Sequence, residues 1–455
     1  MNEELKVTFE KITEYFKARQ IAPLRELLRE TEEADIAIYM EEELSEKERL
    51  QFFRLLPKEL ASDVFVEFES DTQETLIKLF TDKELKEVIQ DMFLDDTVDI
   101  IDEMPANVVK RILKNSSPED RKLINELLEY PDDSAGSLMT PEFVSLSAKM
   151  TVQEAFDKIR VQGVNKETIY TCYVTNVKKQ LIGVVTVKDL LLAPSKEIIE
   201  NIMETSFVSI ETLCDKEEVA HMFSKYGYLA FPVLDKEGCI VGIITVDDAV
   251  EVIQEEATED IEKMAAISMG SDKPYLKTST FKLWLSRIPW LMLLMISATF
   301  TGIIMNNYES VLSSVLVACV PMLMGTSGNA GGQSSVTVIR SMSLKELDGH
   351  DFLKVIWKEI RVGVYCALCL GVICFAKLML LDNFVFGYDY TLITSLVVSI
   401  SLSLAVIMAK LVGAILPFLA KGLKLDPAVV ASPFITTIVD ALSLMLYCGI
   451  AIALL

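Results

Sequence analysis

PMLMGTSGNAGGQSSVTVIRS, residues 321–341, crowds glycine and hydroxyl residues into the apolar half of this chain. A run this long can cross a bilayer as a helix, which takes about 20 residues. Small residues at such density weaken a regular helix, and freed backbone groups are tolerated in a membrane only against protein or water. Close helix packing through Gly and Ser explains part of the stretch. Asn329 and Gln333 in the same segment add a polar lining that packing alone does not need. A broken span beside a polar path is therefore expected.

Five apolar stretches are long enough to span, near 283–305, 311–339, 362–381, 391–420 and 428–454. Lys277, Lys282 and Arg287 precede the first. The next loop, NNYES, has no base, and the one after carries Arg340, Lys345, Lys354, Lys358 and Arg361. DNFVFGYDY is again free of bases, and Lys421 and Lys424 lie in the last connection. Basic and base-free loops alternate, which places the N-terminus in the cytoplasm and the C-terminus outside a multi-pass plasma-membrane protein. Lys377 is expected to snorkel to the outer surface. Lys410, inside the fourth span, has no evident partner. Asp440, in SPFITTIVDALSLMLYCG, has no base within its own span. A carboxylate there costs at least about 2.5–3.5 kcal/mol, so it should face a cavity or a cation. Hydrogen bonds to Thr436, Thr437 or Ser443 are the structural alternative. Magnesium suits the first reading, because it takes one or two carboxylates and keeps its waters.

The front half is different. The chain's formal charge is -24, yet from Lys277 onward 12 basic residues face 9 acidic ones, so the acidity lies in residues 1–276. Such a surface argues against nucleic acid and for multivalent cations. MNEELKVTFE has neither the basic nor the apolar region of a signal peptide. The eight cysteines show no disulfide or zinc spacing, and Cys366 and Cys369 read as membrane packing. Turn signals at Pro57, Thr81 and Pro105 recur every 24 residues, each before an amphipathic stretch, which predicts a small helical solenoid. From residue 137 a unit occurs twice: a Met ahead of an apolar strand (LMTPEFVSL, IMETSFVSI), then a glycine-led strand and Thr-x-x-Asp, in GVVTVKD (183–189) and GIITVDD (242–248). The following VDDAVEVIQEEATEDIEKM predicts one long acidic helix with carboxylates at three- and four-residue spacings.

The duplicated unit resembles a tandem CBS pair. In that family the Thr and Asp bind an adenine nucleotide's ribose, which makes Thr186, Asp189, Thr245 and Asp248 candidates; helix capping is the other reading. The order of parts resembles the MgtE family over essentially the whole chain. It implies a multidomain protein: an α-helical solenoid-like N-domain (1–136), an α/β CBS pair (137–198 and 199–255), a connecting "plug" helix (249–276) and an all-α five-helix pore domain (277–455). It further implies a homodimer in membrane lipid with magnesium as substrate and regulator. Asp440 would be the pore carboxylate and Asp426 a second membrane-domain site. Regulatory magnesium would fall on Asp63, Asp95, Asp99, Glu217, Asp248, Glu251, Glu256, Glu259 and Asp260. Three positions depart from the family pattern: Gly227 and Glu251 stand where the family has Asp, and Ser432-Pro433 replaces Asn-Pro.

The expected function is a magnesium channel or transporter, shut when the ion bridges carboxylates of the N-domain, CBS pair and plug. A coupled secondary transporter of magnesium, cobalt or manganese is the alternative. A CBS-regulated chloride channel fits an intramembrane Asp poorly. An enzyme is not expected, since His221 and His350 are the two histidines and no nucleophile–base constellation is apparent.

Overall fold

The computed structural model describes residues 3–268, 275–308, 313–430 and 432–454 and falls into two compact units, Met1–Ile253 and Gln254–Leu455. In the first unit ten helices run from Glu3–Lys17 to Pro118–Leu127. From Lys58 onward they begin at 58, 70, 82, 94, 106 and 118, so the 24-residue repeat is two helices of twelve-residue pitch. Pro57 and Pro105 sit at N-caps, where no amide donor is required. Thr81 closes a capping box with Glu84. Each helix buries one apolar stripe, such as Leu85 and Val88 or Val108 and Ile112. Arg111 donates to the carbonyls of Ile77 and Phe80, satisfying the end of a helix in the preceding repeat.

The next part holds two three-stranded sheets. The first contains β1 (Ser145–Ser147), β2 (Thr171–Thr175) and β3 (Leu181–Thr186); the second contains β4 (Ile210–Glu211), β5 (Ala230–Leu234) and β6 (Ile240–Thr245). In both, the first strand pairs parallel to the middle one and the third antiparallel. The lead-in segments are exchanged. Thr140 pairs with Ile243 on β6, and Glu204 pairs with Val184 on β3. A Cβ on Gly242 would lie 2.8 Å from Met139 Sδ, and one on Gly183 2.8 Å from Met203 Sδ. Each signature Met thus packs on the signature Gly of the other unit. Val246–Met264 follows as a single helix, the connecting helix.

In the second unit five helices are long and apolar enough to span: Thr280–Tyr308, Ser314–Ser343, Gly349–Asp382, Leu392–Gly422 and Phe434–Leu454. The third is longer than its apolar core, because one helix runs on through Lys354, Lys358 and Arg361. The fifth is preceded by a 3-10 turn, Pro427–Val430, so it starts later than 428. The expected break at the glycines is absent. Helix Val320–Ser343 is continuous through residues 325–335, and the interruption falls before Pro321, where the short helix Ser314–Val317 ends. The small residues serve packing instead: a Cβ on Gly413 of the fourth span would lie 2.2 Å from the Gly331 carbonyl oxygen. Lys377 is paired rather than free, 2.8 Å from buried Asp382 across a π-helical turn. Buried Lys410 donates to Ser334 Oγ at 3.4 Å, and that hydroxyl donates to Glu359 at 2.6 Å, which joins three spans through one polar chain.

Candidate functional site

The fifth span carries Asp440 to the wall of a groove of about 380 Å3, lined by Ala298, Thr301, Pro321, Met324, Thr437 and Asp440. Its Oδ1 lies 3.4 Å from where a Gly328 Cβ would stand, so a larger residue there would crowd the carboxylate. No hydrogen bond or ion pair from a described residue reaches Asp440, and the proposed bonds to Thr436, Thr437 and Ser443 are not formed; Ser443 Oγ is itself buried without a partner. On the second span Gly325, Asn329, Gln333 and Thr337 are all exposed, one per helical turn. They form a polar stripe on a membrane helix, which demands water or protein against it. Thr337, which donates to the Gln333 carbonyl at 2.8 Å, was not foreseen from the sequence. Ser432 and Pro433 open the last helix, and their side chains lie outside the described residues.

A second constellation lies in the first unit. Asp95, Asp96 and Asp99, on helix Leu94–Glu103, stand close enough to Asp248 at the start of the connecting helix to raise one another's pKa values. Burial, then repulsion from Asp96, Asp248 and Glu167, pushes Asp95 up to about 9. Burial and neighbouring carboxylates push Asp96, Asp99 and Glu167 up to about 7. Asp99 is raised although water reaches its side chain, as befits a carboxylate lining a wet cleft. Asp248 is also raised by burial, against hydrogen bonds from Thr245 N and Oγ1 at 3.1 and 2.6 Å. Asp95 Oδ1 and Glu167 Oε2 are buried without a hydrogen-bond partner. Glu142 ties the cleft together by accepting from Leu94 N at 3.3 Å. Asp63, exposed, is raised by burial of its carboxyl and by Glu33 and Asp91, and it adds to the repulsion on Asp96. Glu251 contributes to the field on Asp99. Glu217 is exposed in the first turn of its helix, apart from this set in the sequence.

The third constellation belongs to the second unit. Lys263 Nζ lies 2.6 Å from Glu259 and 2.7 Å from Asp426. Burial opposes that charge, but the bonds to Asp426 and Glu259 outweigh it and raise the ammonium's pKa. Ser343 Oγ donates to Asp260 Oδ2 at 3.1 Å, and burial still raises that carboxyl. Met264 packs against Ile339 and Ala428. Glu256 is half-buried one turn before Asp260, and residues 269–274 of the expected plug lie outside the described residues. Among the described residues no three His, Cys, Asp or Glu side chains close into a ready ligand set.

The magnesium transporter MgtE of Thermus thermophilus is 35% identical over 461 aligned residues, covering 100% of this chain and 99% of the relative. The chain belongs to the MgtE family. The magnesium transporter MgtE of Bacillus subtilis is 32% identical, covering 95% of this chain and 94% of its own length. The family profile "Divalent cation transporter" matches residues 320–450, "MgtE intracellular N domain" residues 11–133 and "CBS domain" residues 135–196 and 199–255. The cytosolic domain of the Mg2+ channel MgtE, solved in complex with ATP, is 33% identical with a TM-score of 0.51. It covers 54% of this chain and 99% of that one.

Gly227 has a local reason. It ends its helix in the left-handed region at φ 65, a conformation that glycine adopts without strain. Thr186 with Asp189 forms a capping box on the helix that follows, and Asp248 accepts from Thr245 N and Oγ1 at the start of the connecting helix, so both pairs serve the local fold. Asp96, Glu142 and Glu167 were missed. Asp96 was legible beside Asp95 in LDDTVDIIDE, whereas Glu142 and Glu167 reach the cleft from loops with no local signal.

Proposed function

We propose that this MgtE-family chain is a magnesium channel of the plasma membrane, with Asp440 holding the hydrated ion and its cytoplasmic carboxylates closing the path. The observation that carries the reading is Asp440 itself, an intramembrane carboxylate without a described protein partner, beside a groove and a polar stripe. Magnesium keeps most of its waters, so one or two carboxylates suffice, and a second chain would supply the other. The relatives named magnesium transporters at 35% and 32% identity support the choice of ion. The exposed stripe, which one chain leaves uncovered, supports the reading of a homodimer. The basic loops support a cytoplasmic N-terminus.

Regulation rests on the two other acidic constellations. Asp95 and Glu167 present buried oxygens with no donor, which suits a bound cation. Asp99, Asp248 and Glu251 complete that cleft. Glu256, Glu259, Asp260 and Asp426 offer hard oxygens at the end of the connecting helix. Asp63 and Glu217 are outlying ligands. Magnesium in these places stabilises the shut arrangement, and its loss leaves mutual repulsion that favours opening. An adenine nucleotide at Thr186, Asp189, Thr245 and Asp248 is supported by the ATP complex of the related cytosolic domain. The test is flux into liposomes from purified protein under a magnesium gradient with no coupling ion. Wild type should conduct, and Asp440→Asn should lose at least about tenfold. Wild-type flux in folded Asp440→Asn overturns the reading, and flux that requires a second ion makes the protein a coupled transporter.

A further inference from the structure

We infer that Lys263 is a tethered competitor of magnesium: its ammonium occupies the Glu259–Asp426 pair and must be displaced when the ion binds there. The inference rests on the regulatory reading above and names the device that sets its threshold. Glu259 and Asp426 are far apart in sequence and alike in charge, so bringing them together without a cation costs repulsion. Lys263 removes that cost from within the same helix. It takes Glu259 at the favourable i,i+4 spacing with the acid N-terminal, and reaches Asp426 at 2.7 Å.

The ammonium stands where a divalent ion shared by the two carboxylates would stand, and both cannot occupy that space. It is not locked in. The Lys263 side chain is 26% exposed, Glu259 24% and Asp426 37%, so the flexible stem has a way out and the ion a way in. Asp260, one residue on from Glu259 and accepting from the Ser343 hydroxyl at 3.1 Å, is within the same end of the helix. Displacement therefore exchanges one charge for two against three carboxylates, and the magnesium needed depends on how firmly Lys263 is held.

A plain strut makes the opposite prediction. If the lysine merely fastened the connecting helix to Asp426, removing it would loosen the magnesium-bound arrangement and raise the ion concentration required. If it competes, removing it frees two ligands and lowers that concentration. The experiment is a magnesium titration of full-length protein in nanodiscs, read by protease protection of the connecting helix and by melting temperature. Lys263→Met keeps the stem and removes the charge, Lys263→Gln serves where the first variant folds poorly, and Lys263→Arg keeps the charge. We expect the midpoint to fall about tenfold in Lys263→Met and Lys263→Gln and to stay near wild type in Lys263→Arg. A midpoint that is unchanged or higher in both neutral variants overturns the inference and leaves magnesium regulation standing. Absence of any magnesium protection in wild type overturns both.

Discussion

Replacing Asp95 by Asn should stabilise the ion-free protein, although it removes a proposed ligand. Asp95 is held at about 9 against an ordinary 3.8. Its folded value lies above its unfolded one, so its contribution to stability is full below about pH 4 and is lost as pH rises through about 9. At pH 7 keeping the proton costs up to about 4 kcal/mol, from 1.36 kcal/mol per pH unit. The side chain is only half-buried and its neighbours titrate with it, so about 1–2 kcal/mol is the realistic share. For a unit of this size that is a rise of about 3–6 °C in melting temperature. Asn is nearly isosteric, and its amide can donate to the surrounding carboxylates. The three tryptophans, Trp284, Trp290 and Trp357, all lie in the second unit, so calorimetry or hydrogen exchange is needed to follow the first. In EDTA, wild type should lose stability between pH 6 and pH 8 as Asp96, Asp99 and Glu167 ionise near 7, and Asp95→Asn should fall less steeply. Magnesium should restore wild type more than the variant. A wild type more stable at pH 8 than at pH 6 without ions, or a variant melting below wild type, would refute the reasoning.

Two further outcomes test the membrane unit. Gly413→Ala would put a Cβ 2.2 Å from a backbone oxygen, so the second and fourth spans must separate; flux and melting temperature should both fall, by about 1–3 kcal/mol in stability, while Gly349→Ala, which meets open space, should be neutral. Lys410→Met leaves Glu359 without the positive end of its chain and should cost about 3 kcal/mol by thermal denaturation, most of it recovered in the double variant with Glu359→Gln.

Local chemistry made much of this fold legible. Pro57, Thr81 and Pro105 punctuate the solenoid because helix starts need residues that dispense with or replace an amide partner. Asp440 stood out because hydrocarbon makes an isolated charge conspicuous. The glycines of 325–335 misled, since glycine weakens a helix in isolation but also permits the close backbone approach that stabilises one inside a bundle. Hydropathy cut the third span short at Val362, because a long helix can carry Lys354, Lys358 and Arg361 into its cytoplasmic end. Glu142 and Glu167 were invisible for a different reason. Their roles arise only when loops of the CBS pair meet a helix of the N-domain, and no periodicity records such a meeting.

The exchange of Met139 onto Gly242 and Met203 onto Gly183 also constrains how the chain is born. A nascent first sheet has its Gly183 surface bare until Met203 has left the ribosome. Met139 waits through about 100 residues of synthesis for its own partner, Gly242, so the two sheets mature together as one cooperative unit. A protein severed between 198 and 199 would yield two pieces, each offering an open strand edge and an uncovered glycine surface. Such pieces invite re-pairing with a neighbour's lead-in segment, which is how domain swapping begins.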